Sequence, residues 1–253
     1  MNREIIKKLI LGDISLELKN KYLSNISSME ENIQMQNTLC SNSSIWPSPL
    51  LAESMIGYTC LQNIEFLLDD VILNKIPGDF IETGVWGGGA CIYAKLLLNA
   101  HNHKMKVFVA DSFAGLPAPE LDRYPQDKGD LHHTCPELSI SLEDVQSNFK
   151  KYNCLDKNVI FLKGWFKDTL LTLSNKQKFC IIRLDGDMYS STMDSLINLY
   201  SKLSKGGYCI IDDYALVNCA KAVNDFREIN NITCPFKLIP GAGAGALYWK
   251  KDD

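Results

Sequence analysis

The sequence lacks the features that would point to a membrane or a nucleic acid as partner. It contains no run of about 18 apolar residues, which a membrane-spanning helix needs. It has no basic excess, because 30 acidic side chains stand against 26 basic ones in 253 residues, for a net charge of −4. A dedicated nucleic-acid binder would need a basic face. We therefore expect neither partner.

The sequence also lacks the cysteine spacing of a zinc site or a disulfide framework. The nine cysteines are odd in number, and none belongs to a CxxC pair. Cys180 and Cys209 lie inside apolar runs, where cysteine acts as a small buried hydrophobe. The amino-terminal stretch MNREIIKKLILGD is too short and too interrupted for a signal peptide. These features predict a reduced chain in the cytoplasm.

What is present is an apolar fraction of 46%, arranged in alternating strand and helix patterns. The strand signals are continuous apolar runs, which are typical of strands covered on both faces. Repeated β-α units of this kind predict an α/β fold with a doubly wound, mostly parallel sheet. The predicted strands cover 79–83, 106–111, 159–164, 179–185 and 208–213, and the predicted helices cover 49–76, 90–99, 142–152, 192–203 and 219–229.

Two regions outside this alternation complete the predicted organisation. The runs PFKLIP and GALYWK flank a glycine-rich stretch at 241–245 and predict a closing antiparallel hairpin. The segment before residue 49 is mostly polar and only weakly periodic. We interpret residues 1–48 as an amino-terminal extension of helices and loops, and residues 49–253 as the α/β domain.

A glycine-rich turn, ETGVWGGG at 82–89, follows the first predicted strand. Its spacing is not that of a dinucleotide site, because Trp86 stands where GxGxxG has its second glycine. Asp111 ends the next strand, where an acid commonly holds the hydroxyls of a ribose. A carboxylate at the turn, Glu82, would repel phosphates but suit a sulfonium or ammonium. The three features fit S-adenosylmethionine, and a tight turn without a ligand is the alternative.

Four aspartates follow two later strands of the predicted sheet. Asp185 and Asp187 end the fourth strand, and Asp212 and Asp213 end the fifth. Ligands bind at the carboxyl ends of parallel strands, and close carboxylates repel one another unless a cation lies among them. Oxygen-only ligands indicate a hard ion, Mg²⁺ first, with Ca²⁺ or Mn²⁺ as alternatives. The competing interpretation is that the acids cap the helices predicted from residues 192 and 219.

Five motifs carry a family resemblance, and they occur in the order GDFIETGVWGGGA, VFVADSFAGLP, KGWFKDTL, IRLDGDMYSSTMDSL and GGYCIIDDY. Together they resemble the macrocin O-methyltransferase family, closely over about residues 77–214. Members are Mg²⁺- and S-adenosylmethionine-dependent enzymes that methylate sugar hydroxyls, often in the biosynthesis of glycosylated antibiotics. The resemblance implies a Rossmann-like class I methyltransferase sheet and a homo-oligomer.

The resemblance also implies roles for the matching residues. It implies Asp185, Asp212 and Asp213 as metal ligands and Asp187 as the general base. The residues expected to lie at the cofactor are Glu82, Thr83, Gly84, Val85, Trp86, Asp111, Ser112, Gly164, Trp165 and Asp185. Packing in the core is the alternative for Trp165, because tryptophan buries well in any core.

Three further residues are candidates for the acceptor site. The charged loop 122–137 follows the second strand and carries His133, so it is placed to fold over the acceptor as a lid. Tyr189 and Tyr214 stand beside the aspartates. Packing of the crevice wall is the alternative for both tyrosines, and an ordinary surface position is the alternative for the histidine.

These observations predict transfer of a methyl group from S-adenosylmethionine to a sugar hydroxyl of a glycosylated small molecule. Mg²⁺ would lower the pKa of the hydroxyl, and Asp187 would take its proton. A metal-dependent O-methyltransferase for a catechol-like phenol is the alternative within the same chemistry. A non-catalytic binding module on the same scaffold is the alternative outside it.

Overall fold

The computed structural model describes residues 2–13, 52–242 and 245–252. The sheet is built from β1 (Asp79–Thr83), β2 (Val107–Asp111), β3 (Val159–Lys163), β4 (Phe179–Leu184), β5 (Leu203–Ile211), β6 (Lys237–Leu238) and β7 (Leu247–Lys250). The helices are α1 (Arg3–Ile10), α2 (Tyr58–Leu73), α3 (Gly89–Ala100), α4 (Leu142–Lys151), α5 (Phe166–Thr169), α6 (Tyr189–Leu199) and α7 (Val217–Ile229). Short 3₁₀ turns lie at Pro125–Asp127, His132–Thr134, Pro136–Leu138, Leu170–Thr172 and Tyr200–Lys202.

The seven strands form one sheet in the order β3-β2-β1-β4-β5-β7-β6. The first five strands pair in parallel, and β7 pairs antiparallel with both β5 and β6. The predicted doubly wound sheet with a closing hairpin is therefore confirmed. The strand order reverses between β1 and β4, and open α/β sheets bind ligands beside the carboxyl ends of strands at such a point.

Apolar layers cover both faces of the sheet. One buried cluster joins the sheet to α1, α2, α3 and α4, and the other joins it to α6 and α7. Every residue of β4 is buried, which explains why this strand is a continuous apolar run in the sequence. Cys180 and Cys209 are buried as predicted, and the eight cysteines in the described part of the chain are free thiols.

Two predicted boundaries differ from the structure by five residues or more. Residues 52–57 are not helical, and α2 begins only after Gly57, whose backbone is left-handed (φ 79°). The strand predicted from residue 208 begins at Leu203, because its first half contains Gly206 and Gly207, which weaken the strand signal. A Cβ at Gly207 would lie 2.6 Å from the carbonyl oxygen of Cys180 on the neighbouring strand. Gly207, which weakens the strand signal in the sequence, is therefore required by the packing of the sheet.

The amino-terminal helix α1 packs onto the α/β core. Ile5, Ile6, Leu9 and Ile10 are buried in the same apolar cluster as α2 and α3. The rest of the predicted extension, residues 14–48, lies outside the described residues. Among the described residues, each helix is too short or too polar to span a bilayer.

Candidate functional site

A cavity of about 570 Å³ opens at the carboxyl edge of the sheet, where β1, β2, β4 and β5 end. It brings together most of the residues that the sequence singled out. The predicted residues that line it are Glu82, Gly84, Val85, Trp86, Asp111, Ser112, Trp165, Asp185, Asp187, Asp212 and Asp213.

The glycine turn after β1 is shaped by close contacts within the chain. Gly84 has a left-handed backbone (φ 83°), and a Cβ there would lie 1.6 Å from the carbonyl oxygen of Asp185. A Cβ at Gly87 would lie 2.7 Å from the Glu53 carbonyl oxygen, which accepts a 2.8 Å hydrogen bond from the N–H of Gly89. From the sequence, these glycines were expected to make room for a ligand and for a tight start of the next helix. Packing against β4 and the 52–57 segment is a further reason for them.

Asp111 holds the turn through backbone hydrogen bonds. Its Oδ2 accepts from the N–H of Val85 at 2.7 Å, and its Oδ1 accepts from the N–H of Phe113 at 2.8 Å. Burial raises the pKa of Asp111, although these hydrogen bonds oppose the shift. The N–H of Gly164 donates to the Asp111 carbonyl oxygen at 2.9 Å. This connects β2 to the stretch that begins with Trp165, whose side chain is 37% exposed in the cavity and is not a core residue.

The aspartates at the ends of β4 and β5 converge. Asp185, Asp212 and Asp213 each offer one oxygen, and these oxygens lie within 4.8 Å of one another. Asp187 stands beside them in a left-handed backbone (φ 56°), and its N–H donates to Asp213 Oδ2 at 3.1 Å.

The helix-cap interpretation of Asp187 is wrong. The first N–H groups of α6, at Tyr189 and Ser190, donate to Asp127 at 2.8 and 3.0 Å. Asp127 is fully buried and belongs to the loop that the sequence predicted as a lid. Because Asp127 caps α6, the side chain of Asp187 remains in the cavity.

Burial dominates the electrostatics of these acids. It raises the pKa of Asp212 to about 7, although the charge of Arg183 opposes the shift. Burial and the charge of Asp185 raise the pKa of Asp187 to about 6. Burial and the neighbouring aspartates raise the pKa of Asp213 well above its ordinary value. Ionising all of these carboxylates without a nearby cation is therefore unfavourable.

Arg183 is a buried charged residue beside the cavity that the sequence analysis did not single out. Its side chain is 1% exposed on β4, and its guanidinium contacts Glu82, Asp185 at 2.7 Å and Asp212 at 2.5 Å. We call Arg183 with Glu82, Asp185, Asp187, Asp212 and Asp213 the sheet-edge cluster. A signal was present in the sequence, because a charged residue inside the apolar run FCIIRL needs buried partners.

The 52–57 segment was also missed as a wall of the cavity. Ser54, Met55 and Ile56 line it. The N–H groups of Glu53 and Ser54 donate to the carbonyl oxygen of Ile10 at 2.8 and 3.2 Å, so the end of α1 holds this wall in place.

Five predicted site residues do not line the cavity. Thr83 accepts a hydrogen bond from Ser195 at 3.2 Å, and Gly164 only precedes the lining residue Trp165. His133 is exposed, whereas its neighbour His132 lines the cavity and contacts Asp130 at 3.0 Å.

The two tyrosines lie outside the cavity lining. Tyr189 is buried and donates to Asp225 at 3.0 Å. Tyr214 donates to Asn224 at 3.0 Å, and its ring packs against Phe236.

The fold and the site together define the class of the protein. A parallel sheet with a closing hairpin, a glycine turn after β1 and an acid at the end of β2 are the parts of a class I methyltransferase, and this class implies S-adenosylmethionine as the methyl donor. The solved structure of the O-methyltransferase NovP superposes with a TM-score of 0.78. It is 38% identical, and the match covers 94% of this chain and 100% of that one.

The family follows from the sequence comparisons. A model of the macrocin-O-methyltransferase (TylF) family matches residues 7–251, and the chain belongs to that family. The predicted family and the O-methyltransferase activity are thereby confirmed.

Two curated relatives are similar over most of their length. The "8-demethyl-8-(2,3-dimethoxy-alpha-L-rhamnosyl)-tetracenomycin-C 4'-O-methyltransferase" of Streptomyces olivaceus is 42% identical over 81% of this chain and 77% of its own. The "Demethyldecarbamoylnovobiocin O-methyltransferase" of Streptomyces niveus is 44% identical over 81% of this chain and 78% of its own.

Proposed function

We propose that this protein methylates a sugar hydroxyl of a glycosylated small molecule, with S-adenosylmethionine as donor and Mg²⁺ as the activating ion. The observation that carries the proposal is the convergence of Asp185, Asp212 and Asp213 in the same cavity as the glycine turn. The sugar acceptor is supported by the relative whose name specifies a rhamnosyl group.

The three aspartates fit a hard divalent ion. They supply only carboxylate oxygens, which Mg²⁺ prefers, and their spacing allows one ion to touch all three. The sheet-edge cluster contains five carboxylates and one arginine, so an added cation would relieve repulsion. A divalent ion held there would make the acceptor hydroxyl more acidic.

The glycine turn and its neighbours fit the methyl donor. Gly84 and Val85 bring the backbone to the cavity, and Asp111 and Ser112 lie where a ribose-binding acid is expected. The exposed face of Trp165 offers an aromatic surface for the adenine. S-adenosylmethionine would supply the electrophilic methyl group.

Asp187 is the proposed general base. It faces the cavity two residues beyond Asp185, so an acceptor oxygen near the aspartates would be within its reach. The hydrogen bond from its N–H to Asp213 fixes the tight loop that carries it. A fixed base and a fixed acceptor reduce the entropy lost on reaching the transition state.

The loop after β2 is the proposed acceptor wall. His132 lines the same cavity as Asp187, and a positive charge on its ring would lower the pKa of Asp187. Tyr124 and Arg123, which also line the cavity, are tied to Asp194 on α6 by contacts of 2.9 and 2.7 Å. The wall is thus anchored to the helix that follows the aspartates.

The test is methyl transfer to glycosides and to a catechol, measured with Mg²⁺ and after chelation. We expect turnover of a glycoside, loss of turnover on chelation, and loss in Asp185→Asn. Asp156→Asn is the matched control, because Asp156 pairs with Lys95 and is not among the lining residues. Wild-type turnover by Asp185→Asn in chelator-treated buffer would refute the metal, and preference for the catechol would refute the sugar acceptor.

The cytoplasmic location, the homo-oligomer and the boundary at residues 48/49 stay predictions. Cell fractionation, light scattering and limited proteolysis, respectively, test them.

A further inference from the structure

Arg183 lies at the point where three strand ends meet. It stands on β4, in register with Glu82 on β1, and Asp212 follows β5 on the other side. One nitrogen of its guanidinium, Nη1, contacts both Glu82 Oε1 and Asp185 Oδ2, and Nη2 contacts Asp212 Oδ1. A single planar group therefore joins the carboxylates of all three strands.

The contacts with Asp185 and Asp212 use one oxygen of each of these two proposed ligands. A carboxylate has two oxygens, so a contact of Oδ2 of Asp185 with the guanidinium directs Oδ1 elsewhere. The same holds for Asp212, whose Oδ1 is 2.5 Å from Nη2. Nη1 donates hydrogen bonds to Glu82 and Asp185, whereas Nη2 forms a close ion pair with Asp212 that lacks hydrogen-bond geometry. One planar guanidinium therefore touches both proposed ligands, which the point charge of a lysine cannot do.

We propose that Arg183 is a positioning residue that orients Asp185 and Asp212 toward the divalent ion, and that Glu82 holds the arginine in place. This inference rests on the metal site of the proposed function. It assigns the buried Glu82–Arg183 pair to the metal end of the cavity, whereas the sequence placed Glu82 beside the cofactor. Partners of this kind behind metal ligands typically change metal affinity about 10- to 100-fold.

Two roles of Arg183, as a positive charge or as a group that orients the ligands, predict different Mg²⁺ affinities for its variants. If Arg183 only added positive charge, it would repel the ion, so Arg183→Met would bind Mg²⁺ more tightly and Arg183→Lys would bind it as the wild type does. If Arg183 orients the ligands, both variants lose the planar guanidinium and both bind the ion more weakly.

The first experiment is titration calorimetry of Mg²⁺ and, separately, of S-adenosylmethionine with full-length protein. We expect Arg183→Lys and Arg183→Met to lose about 10- to 100-fold in Mg²⁺ affinity and to lose less in cofactor affinity. Lys7→Met is the matched control, because Lys7 is an equally buried cation with acidic partners outside the cavity. It should bind both ligands as the wild type does.

The second experiment needs no variant and therefore does not depend on how these variants fold. Crystals of the wild-type protein with Mn²⁺ and S-adenosylhomocysteine would locate the ion by its anomalous signal. We expect the ion on Asp185 and Asp212 while both remain in contact with Arg183. An ion that displaces the guanidinium from these carboxylates would overturn the inference.

The outcomes separate this inference from the proposed function. If the wild type binds no divalent ion in either experiment, the proposed metal site is wrong and the role of Arg183 fails with it. If the wild type binds the ion and Arg183→Lys binds it equally well, or Arg183→Met binds it better, only the positioning role is refuted.

Discussion

Two groups of charged residues in this protein differ in how their charges balance. The amino-terminal ion network consists of Arg3, Lys7, Glu4, Glu65 and Asp69, so two cations face three acids. Each of these acids contacts a cation at 3.2 Å or less. The sheet-edge cluster holds one arginine and five carboxylates, and the arginine contacts three of them.

The carboxyl groups whose pKa values shift do so in opposite directions in the two groups. Burial alone would raise the pKa of Glu65, but hydrogen bonds from Tyr93, Arg3 and Lys7 lower it overall. In the sheet-edge cluster, burial and like charges raise the pKa values of Asp187, Asp212 and Asp213. A balanced network stabilises a fold, whereas an unbalanced buried cluster opposes folding and indicates a ligand.

The largest effect should come from a charge removed from the sheet-edge cluster. Asp212→Asn deletes a proposed metal ligand, and an ion that stabilises transition-state charge by several kcal/mol accounts for about 100-fold or more in rate. We expect turnover to fall by that factor and the rise in melting temperature on adding Mg²⁺ to disappear. If the melting temperature of Asp212→Asn rose with Mg²⁺ as much as that of the wild type, the ion would not bind at the sheet-edge cluster.

A smaller effect is expected at Asp111, a half-buried acid whose partners include backbone N–H groups instead of a cation. Asp111→Ala removes hydrogen bonds that hold the turn and a group placed for the ribose. Hydrogen bonds to charged groups contribute about 1.5–3 kcal/mol, so cofactor affinity should fall about 10- to 100-fold. Calorimetry with S-adenosylhomocysteine checks this, with Asp156→Ala as control. Unchanged affinity would remove Asp111 from the cofactor site.

In the amino-terminal ion network, Lys7→Met should reduce stability and leave the chemistry intact. The side chain of Lys7 is 1% exposed and contacts Glu4 and Glu65. Its loss should lower the free energy of unfolding by about 1.5–3 kcal/mol, measured by denaturant titration. Turnover of the folded variant should equal that of the wild type. A loss of turnover at full folding would show that this network also serves the site.

The smallest effect concerns the acid side of the stability curve. Because the pKa of Glu65 is lowered in the folded state, its contribution is present above the ordinary value of 4.5 and is lost as the pH falls through the lowered value. Glu65→Gln should therefore flatten the decline of the melting temperature below pH 4.5. Glu143→Gln, an exposed change on α4, should leave the decline as it is. If the melting temperature of Glu65→Gln declined as steeply as that of the wild type, the stability contribution assigned to Glu65 would be refuted.

The parts of the site that were predicted correctly are residues that directly follow strands of the sheet. Residues 79–83 form β1 as predicted, and the convergence of Asp185 with Asp212 and Asp213 follows from parallel neighbours that share one edge. A run of apolar residues followed by an acid is local in the sequence, so its place at the edge of the sheet can be inferred without knowing the tertiary contacts.

The parts that were not predicted join segments far apart in the chain. Asp127 caps α6 across more than 60 residues, and the end of α1 supports the wall at 52–57 across more than 40. These contacts depend on where loops lie on the finished sheet. Tertiary structure also explains why His132, and not His133, lines the cavity. Both residues lie in one 3₁₀ turn, and the position of that turn determines which ring faces inward.

The sheet, its closing hairpin and the family could be inferred from residues that are neighbours in the sequence, because continuous apolar runs and motifs at strand ends are local patterns. The pairing of the buried charges depends on tertiary contacts. The sequence shows Arg183 and the carboxylates, but which oxygen faces the guanidinium depends on the strand register and on burial. Electrostatic energies change steeply with distance and with exclusion of water, and neither can be read from the order of residues.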